Sequence, residues 1–180
     1  VGRERELERL RAAFDDAFAG RGNVVMLVGE PGIGKTRTVQ ELSTYARMRG
    51  AKVLWGRSHE AGGAPPFWPW VQMLRQCVLQ CGADVLAPFL SDETLPLTAL
   101  VPELRPYLPG RPLPSAFDSE SARFRLFLGV SALLRQIASL RGLLLVIDDL
   151  HWADSGSLRL LEFFSHEARS LPVLVAATYR

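Results

Sequence analysis

The sequence predicts an α/β fold built on a parallel sheet, and three observations carry that prediction. Four short apolar runs, near 23–30, 51–58, 143–147 and 172–179, alternate with stretches of helical periodicity. Three of the four runs are apolar without polar alternation, as strands covered by helices on both faces require. The chain's 180 residues, 48% hydrophobic and 22% charged, suffice for one ordinary domain with a full core.

Each element has its own justification. Residues 3–19 set Leu7, Leu10, Phe14 and Phe18 on one helical stripe with charges elsewhere, and Gly20 and Gly22 end that helix. The run "NVVMLVGE" follows as the first strand and "AKVLWGRS" as the second, with a helix over 34–48 between them. A further helix is expected over 67–81. Another spans 119–140, where Phe127, Val130, Leu134 and Ile137 recur at core spacing. "LLLVI" and "PVLVAATY" are the third and fourth strands, separated by a helix over 155–169 that Asp154 is placed to cap.

One stretch breaks this rhythm. Residues 88–114 hold seven of the twelve prolines, which excludes a long helix or a central strand. An irregular surface excursion with short helical turns, near the second strand, is the expectation. "PPFWPW", 65–70, combines helix-start prolines with three aromatics; packing at the helix start is the default reading, a stacking platform for a partner the alternative.

Composition narrows the function classes. No apolar run approaches the ~20 residues that span a bilayer, so no membrane association is expected. A net charge of +2 without a basic run gives no footprint for direct nucleic-acid binding. The two cysteines, Cys77 and Cys81, lie four apart in an expected helix and read as small core residues, which suits a reducing cytoplasm. Lys35 and Lys52 are the only lysines among 21 basic residues, so each is singled out. Since the chain runs from Val1 to Arg180, directly after a strand-like run, a segment of a longer protein is expected.

The chemistry concentrates in three places. "GEPGIGKT", Gly29 to Thr36, fits the phosphate-binding pattern G-x-x-x-x-G-K-[ST], with the strand before it and helix after it that the pattern requires. Glycines 29, 32 and 34 permit close backbone approach, and successive N–H groups then form an anion nest at a helix start. On this reading Gly29, Glu30, Pro31, Gly32, Ile33, Gly34 and Arg37 contribute to cofactor binding, Lys35 meets the β- and γ-phosphates, and the Thr36 hydroxyl suits Mg²⁺. Asp148, at the end of "LLLVI", is placed to hold the Mg²⁺ shell with Thr36. Asp149 is then left to orient or deprotonate the attacking water. His151 and Trp152 follow at once; a histidine in a turn is more often structural, and a role near the phosphates is the alternative. "ATYR" ends the fourth strand. There Thr178 and Arg180, two apart on extended chain, share one side, and arginine matches a pair of phosphate oxygens. An idle chain end is the competing reading for Arg180.

Taken together, "VGRERELERL", "GEPGIGKTRTVQEL", "LLLVIDDLHWAD" and "LPVLVAATYR" resemble the AAA-type ATPase domain of STAND signalling proteins, with the large LuxR-type transcriptional regulators and related bacterial proteins closest. The likeness is weakest over 82–114. It implies a P-loop NTPase three-layer sandwich of sheet order 2-3-4-1, with the family's fifth strand absent from this segment. It also implies one P-loop ATPase domain over 1–180, truncated at its C-terminal side: the P-loop and second strand over 22–60, the proline-rich excursion over 82–117, and the Walker B and sensor strands over 143–180. The implied activity is a slow conversion of ATP to ADP and phosphate that drives a conformational switch. Gly2 and Arg3 would lie by the adenine and ribose, Thr178 and Arg180 would sense the γ-phosphate, and the implied partners are other domains of the same chain and a nucleotide-dependent oligomer. Two other readings stay open: an initiator-like AAA+ ATPase that grips DNA, and a P-loop small-molecule kinase with an acceptor pocket over the phosphates.

Overall fold

The computed structural model describes residues 3–60, 64–108, 110 and 119–180. Four parallel strands form one sheet: β1 (Asn23–Val28), β2 (Lys52–Arg57), β3 (Leu143–Asp148) and β4 (Val173–Tyr179), in the order β1-β4-β3-β2. This is the predicted order read from the other edge, and each predicted strand is present. β3 and β4 are the central strands and are buried almost throughout, which explains their unbroken apolar sequences.

Alternation along the strands feeds two cores. On one face Leu144, Val146, Leu174 and Ala176 meet helix α1 (Glu4–Phe18) and helix α2 (Lys35–Met48) through Leu10, Phe14, Val39 and Leu42. On the other face Leu143, Leu145, Ile147, Val173 and Val175 meet α3 (Trp68–Cys81), α5 (Glu120–Arg141) and α6 (Ser155–Ala168). Each of the buried Val, Leu, Ile and Phe side chains among these contributes roughly 1.5–3 kcal/mol, so the two faces hold the sheet between its helical layers. Across the first core, the Tyr45 hydroxyl donates to Asp15 at 2.8 Å and ties α2 to α1.

The proline-rich stretch differs from its expected place. A short helix α4 (Ala83–Leu86) and 3₁₀ turns over Ala87–Phe89, Leu95–Ala99 and Pro102–Tyr107 carry it, as expected. Yet Leu86, Leu97, Val101 and Leu104 are fully buried in the second core, against α3 and α5 rather than beside β2. The reason lies in the sequence: Pro96 and Pro102 sit at the first positions of their turns, where no N–H is needed, and Leu97, Leu100 and Leu104 recur three or four apart. Gly129 of α5 allows the approach, because a Cβ there would stand 2.8 Å from the Glu93 carbonyl oxygen. The remainder of the 82–117 excursion, from 111 onward, lies outside the described residues. "PPFWPW" packs, with Phe67 and Trp70 buried and the Trp70 indole donating to the Ser157 carbonyl at 3.1 Å.

The two sheet edges are treated differently. Beside β2, the Gln76 side-chain amide accepts from Trp55 N–H at 2.9 Å and donates to Trp55 C=O at 2.8 Å. Gln72, one turn earlier on α3, does the same for Arg57 at 3.0 Å in both directions. Two glutamines four apart thus satisfy alternate residues of the outer side of β2, as a neighbouring strand would. β1, at the other edge, leaves Met26 and Val28 exposed (52% and 65%). Among the described residues no helix is long and apolar enough to cross a membrane.

Candidate nucleotide site

The strands are parallel, so their carboxyl ends gather on one side of the sheet, where an open α/β sheet holds its ligand. Register places Arg57 beside Asp148 and Val28 beside Tyr179. The segment 29–34 leaves β1 at this end, tied down by Gly29 N–H to the Tyr179 carbonyl at 3.3 Å. Gly32 and Gly34 have φ of +79° and +93°, conformations that a side chain would oppose. Gly34 stands as the cap of α2 without a side-chain partner. The first backbone N–H groups of α2 therefore face the loop's concavity, at the positive end of the helix. The Lys35 ammonium folds back over this loop, donating to the carbonyls of Gly29 at 2.6 Å and Glu30 at 2.9 Å. The backbone shape, the helix start and the buried cation all fit an anionic phosphate chain.

Behind the loop runs a continuous chain of hydrogen bonds. The Thr36 hydroxyl donates to Asp148 at 3.1 Å, and the Thr178 hydroxyl donates to the same oxygen, Oδ1, at 2.7 Å. Thr178 in turn accepts from the Asp149 N–H at 2.8 Å. Asp148 is 2% exposed, so these hydroxyl donors take the place of water around its carboxylate. Thr36 and Asp148 present only oxygen ligands from two elements, the donor set of a hard divalent cation such as Mg²⁺. Among the described residues no group of three or more His, Cys, Asp or Glu could by itself hold a metal ion.

Asp149 breaks away from the strand. Its φ of +57° is left-handed, a conformation that aspartate tolerates better than most residues, at roughly 1 kcal/mol. The turn directs its carboxylate to Arg57, whose Nη2 lies 3.2 Å away. Asp149 is thus engaged by Arg57, a residue that belongs to none of the motifs. The available signal was its position as the last residue of the second strand, beside the end of the third in a parallel sheet. His151 lies against Trp152 and edge-on to Tyr179, with ring centroids 5.1 and 5.7 Å apart. Arg180 stacks its guanidinium over Trp152 at 5.7 Å, while Thr178 sits buried behind the two acids. Asp154 caps α6 as expected, accepting from Ser157 N–H at 3.0 Å, and also accepts from Phe67 N–H at 3.1 Å.

Beside the loop opens a cavity of about 650 Å³ between the starts of α1 and α2, lined by Arg3, Leu7, Ile33, Arg37, Thr38 and Glu41 among others. Its volume suits a nucleoside-sized ligand. Arg37 reaches across its wall to Glu41 at 3.5 Å. Gly2 lies outside the described residues.

This fold and this loop define a P-loop ATPase domain. The sequence profile of the AAA ATPase domain family matches residues 1–176, and the chain belongs to that family. The chain is also similar, at 26% identity over 189 aligned residues, to the uncharacterized protein R02095 of Rhizobium meliloti (strain 1021). That alignment takes in 100% of this chain but only 18% of the relative's length. Membership carries nucleotide binding and nucleotide-dependent ATPase function.

Proposed function

We propose that this domain is a nucleotide-dependent switch, which binds ATP with Mg²⁺, hydrolyses it slowly and reports the bound nucleotide to other domains of a signalling or transcription-regulatory protein of the STAND and LuxR type. One observation carries this reading: the phosphate loop, both acids and the end of β4 are joined in one hydrogen-bonded chain, Thr36–Asp148–Thr178–Asp149. A change at the phosphate loop is thereby felt at the end of β4, which a switch requires.

The residues divide the work. The amides of Gly32, Gly34, Lys35 and Thr36 and the Lys35 ammonium would hold the β- and γ-phosphates, and Thr36 and Asp148 would hold Mg²⁺, which would supply charge neutralisation at the transferring phosphoryl group. Glu30, Pro31, Ile33 and Arg37 shape the loop and the wall beside it, and Arg3, which lines the cavity, lies by the adenine and ribose. Asp149 orients or deprotonates the attacking water once it leaves Arg57. Thr178 acts as a positioning residue on both acids, and Arg180 senses the γ-phosphate. The pairing of Asp149 with Arg57 favours slow turnover, because the carboxylate needed for chemistry is engaged elsewhere at rest. Coverage of 18% of a long relative supports one domain acting among others.

The test is phosphate release from Mg-ATP with no acceptor present, measured in single turnover beside equilibrium binding of ATP and ADP. Slow release with tight binding of both nucleotides is expected. Release that waits for an added small-molecule acceptor identifies a kinase and rejects the switch.

A further inference from the structure

The amide-bearing helix α3 also carries the two cysteines, and their geometry is more specific than core filling. Cys77 and Cys81 stand one turn apart, with sulfurs 3.8 Å from one another in hydrogen-bond contact. Cys77 is fully buried, whereas Cys81, the last residue of α3, reaches solvent in part. Lys52, from the start of β2, and Arg141, from the end of α5, bring positive charge to Cys81. The cluster lies apart from the phosphate loop, and nothing in the proposed switch uses it.

We propose that Cys81 is a peroxide-reactive thiolate, held by hydrogen bonding from the Cys77 thiol, which serves as its resolving partner. The Cys77 hydrogen bond and the two cations bring the Cys81 thiol down to about 6, while burial opposes the shift. The same contact and burial push Cys77 up, so it stays a protonated donor. The carboxyl end of α3 opposes a negative charge at Cys81, while the Cys77 hydrogen bond and the two nearby cations favour it.

The chemistry balances with hydrogen peroxide as the oxidant. The Cys81 thiolate attacks one peroxide oxygen, the O–O bond breaks, and hydroxide leaves to become water, giving a sulfenic acid. Cys77 sulfur then attacks Cys81, the S–O bond breaks, and the departing hydroxide takes the Cys77 proton as a second water. Two thiols are oxidised to a disulfide and one peroxide is reduced to two waters. Geometry makes the second step the slower one. Residues four apart on a helix hold their Cβ atoms about 5–6 Å apart, whereas a disulfide needs about 3.5–4.5 Å. The last turn of α3 must open to close the bond, and Cys81 is at its end.

The experiment treats the folded 180-residue chain with hydrogen peroxide and dimedone between pH 5 and 9, and reads adducts by mass spectrometry. Labelling is expected on Cys81 and not Cys77, with a rate that already reaches half its plateau near pH 6. Cys77→Ala, which removes the donor, should slow labelling at pH 6.5 at least about 10-fold, while Cys77→Ser, which keeps a hydroxyl donor, should retain most of the rate. Equal labelling of both cysteines overturns the proposal. So does a wild-type rate that rises only above pH 8, a result readable even if the alanine variant fails to fold.

Discussion

Arg57 and Asp149 meet across the ends of neighbouring strands: the guanidinium Nη2 stands 3.2 Å from the Asp149 carboxylate, and Nε lies 3.9 Å from that of Asp148. One arginine thus touches both acids that the proposed chemistry needs. The Arg57 side chain is 60% exposed, so the pair contributes at most about 1 kcal/mol to folding. Its consequence belongs to turnover. Arg57→Ala should fold normally and release Asp149, raising basal ATP hydrolysis several-fold with little change in ATP affinity. A steady-state phosphate assay beside calorimetry checks this; unchanged or lower turnover would show that Arg57 does not restrain Asp149.

Lys35 tests the phosphate loop itself. Lys35→Ala removes charge-assisted contacts of roughly 1.5–3 kcal/mol, so ATP affinity should fall about 10- to 100-fold. Thr36→Ala should instead weaken the dependence on Mg²⁺. Mg-ATP affinity that is unchanged in folded Lys35→Ala protein excludes the assignment.

The two acids should fail differently. Asp148→Asn should weaken both Mg-ATP binding and turnover, because a metal ligand acts already in the ground state. Asp149→Asn should bind Mg-ATP almost normally while hydrolysis drops about 10²- to 10⁴-fold. Single-turnover measurements separate the two, and wild-type hydrolysis by Asp149→Asn makes the second carboxylate structural.

How much of this was legible beforehand depends on the kind of interaction. Strands β3 and β4 were plain because central strands are apolar throughout, and the loop from Gly29 was plain because its chemistry needs those residue types in one short run. Asp154 was legible as a cap, since capping is local. The bond from Asp149 N–H to Thr178 joins residues 29 apart, and the Arg57–Asp149 pair joins residues 92 apart. Neither leaves a periodic trace. The buried leucines of the proline-rich stretch were hidden for a different reason: prolines, read as breakers, masked a three- to four-residue apolar spacing.

Thr178 links the sensor strand to the acids through one buried hydroxyl. Thr178→Val keeps the shape but leaves the Asp149 N–H and an Asp148 oxygen short of a partner, at a cost of about 1–3 kcal/mol. Denaturant unfolding should show that loss, and hydrolysis should fall more than ATP affinity. A variant as stable and as active as the parent would show that the relay through Thr178 is idle.

Asp154 offers a stability test away from the chemistry. Its carboxylate serves the α6 cap and also the Phe67 N–H, where the backbone holds an unfavourable φ of +63°. Asp154→Ala should cost about 2–3 kcal/mol, a fall in Tm of roughly 5–10 °C. A shift under 2 °C in a thermal melt would mean that another group takes over both bonds.

The glutamine pair on α3 gives the sheet a direction of growth. With Gln72 and Gln76 occupying the outer backbone of Trp55 and Arg57 on β2, β1 is, among the described residues, the border left open to a further strand. β1 ends one residue before Gly29, so such an arrival would brace the strand from which the phosphate loop springs. That border and the anchor of the phosphate loop are the same piece of backbone.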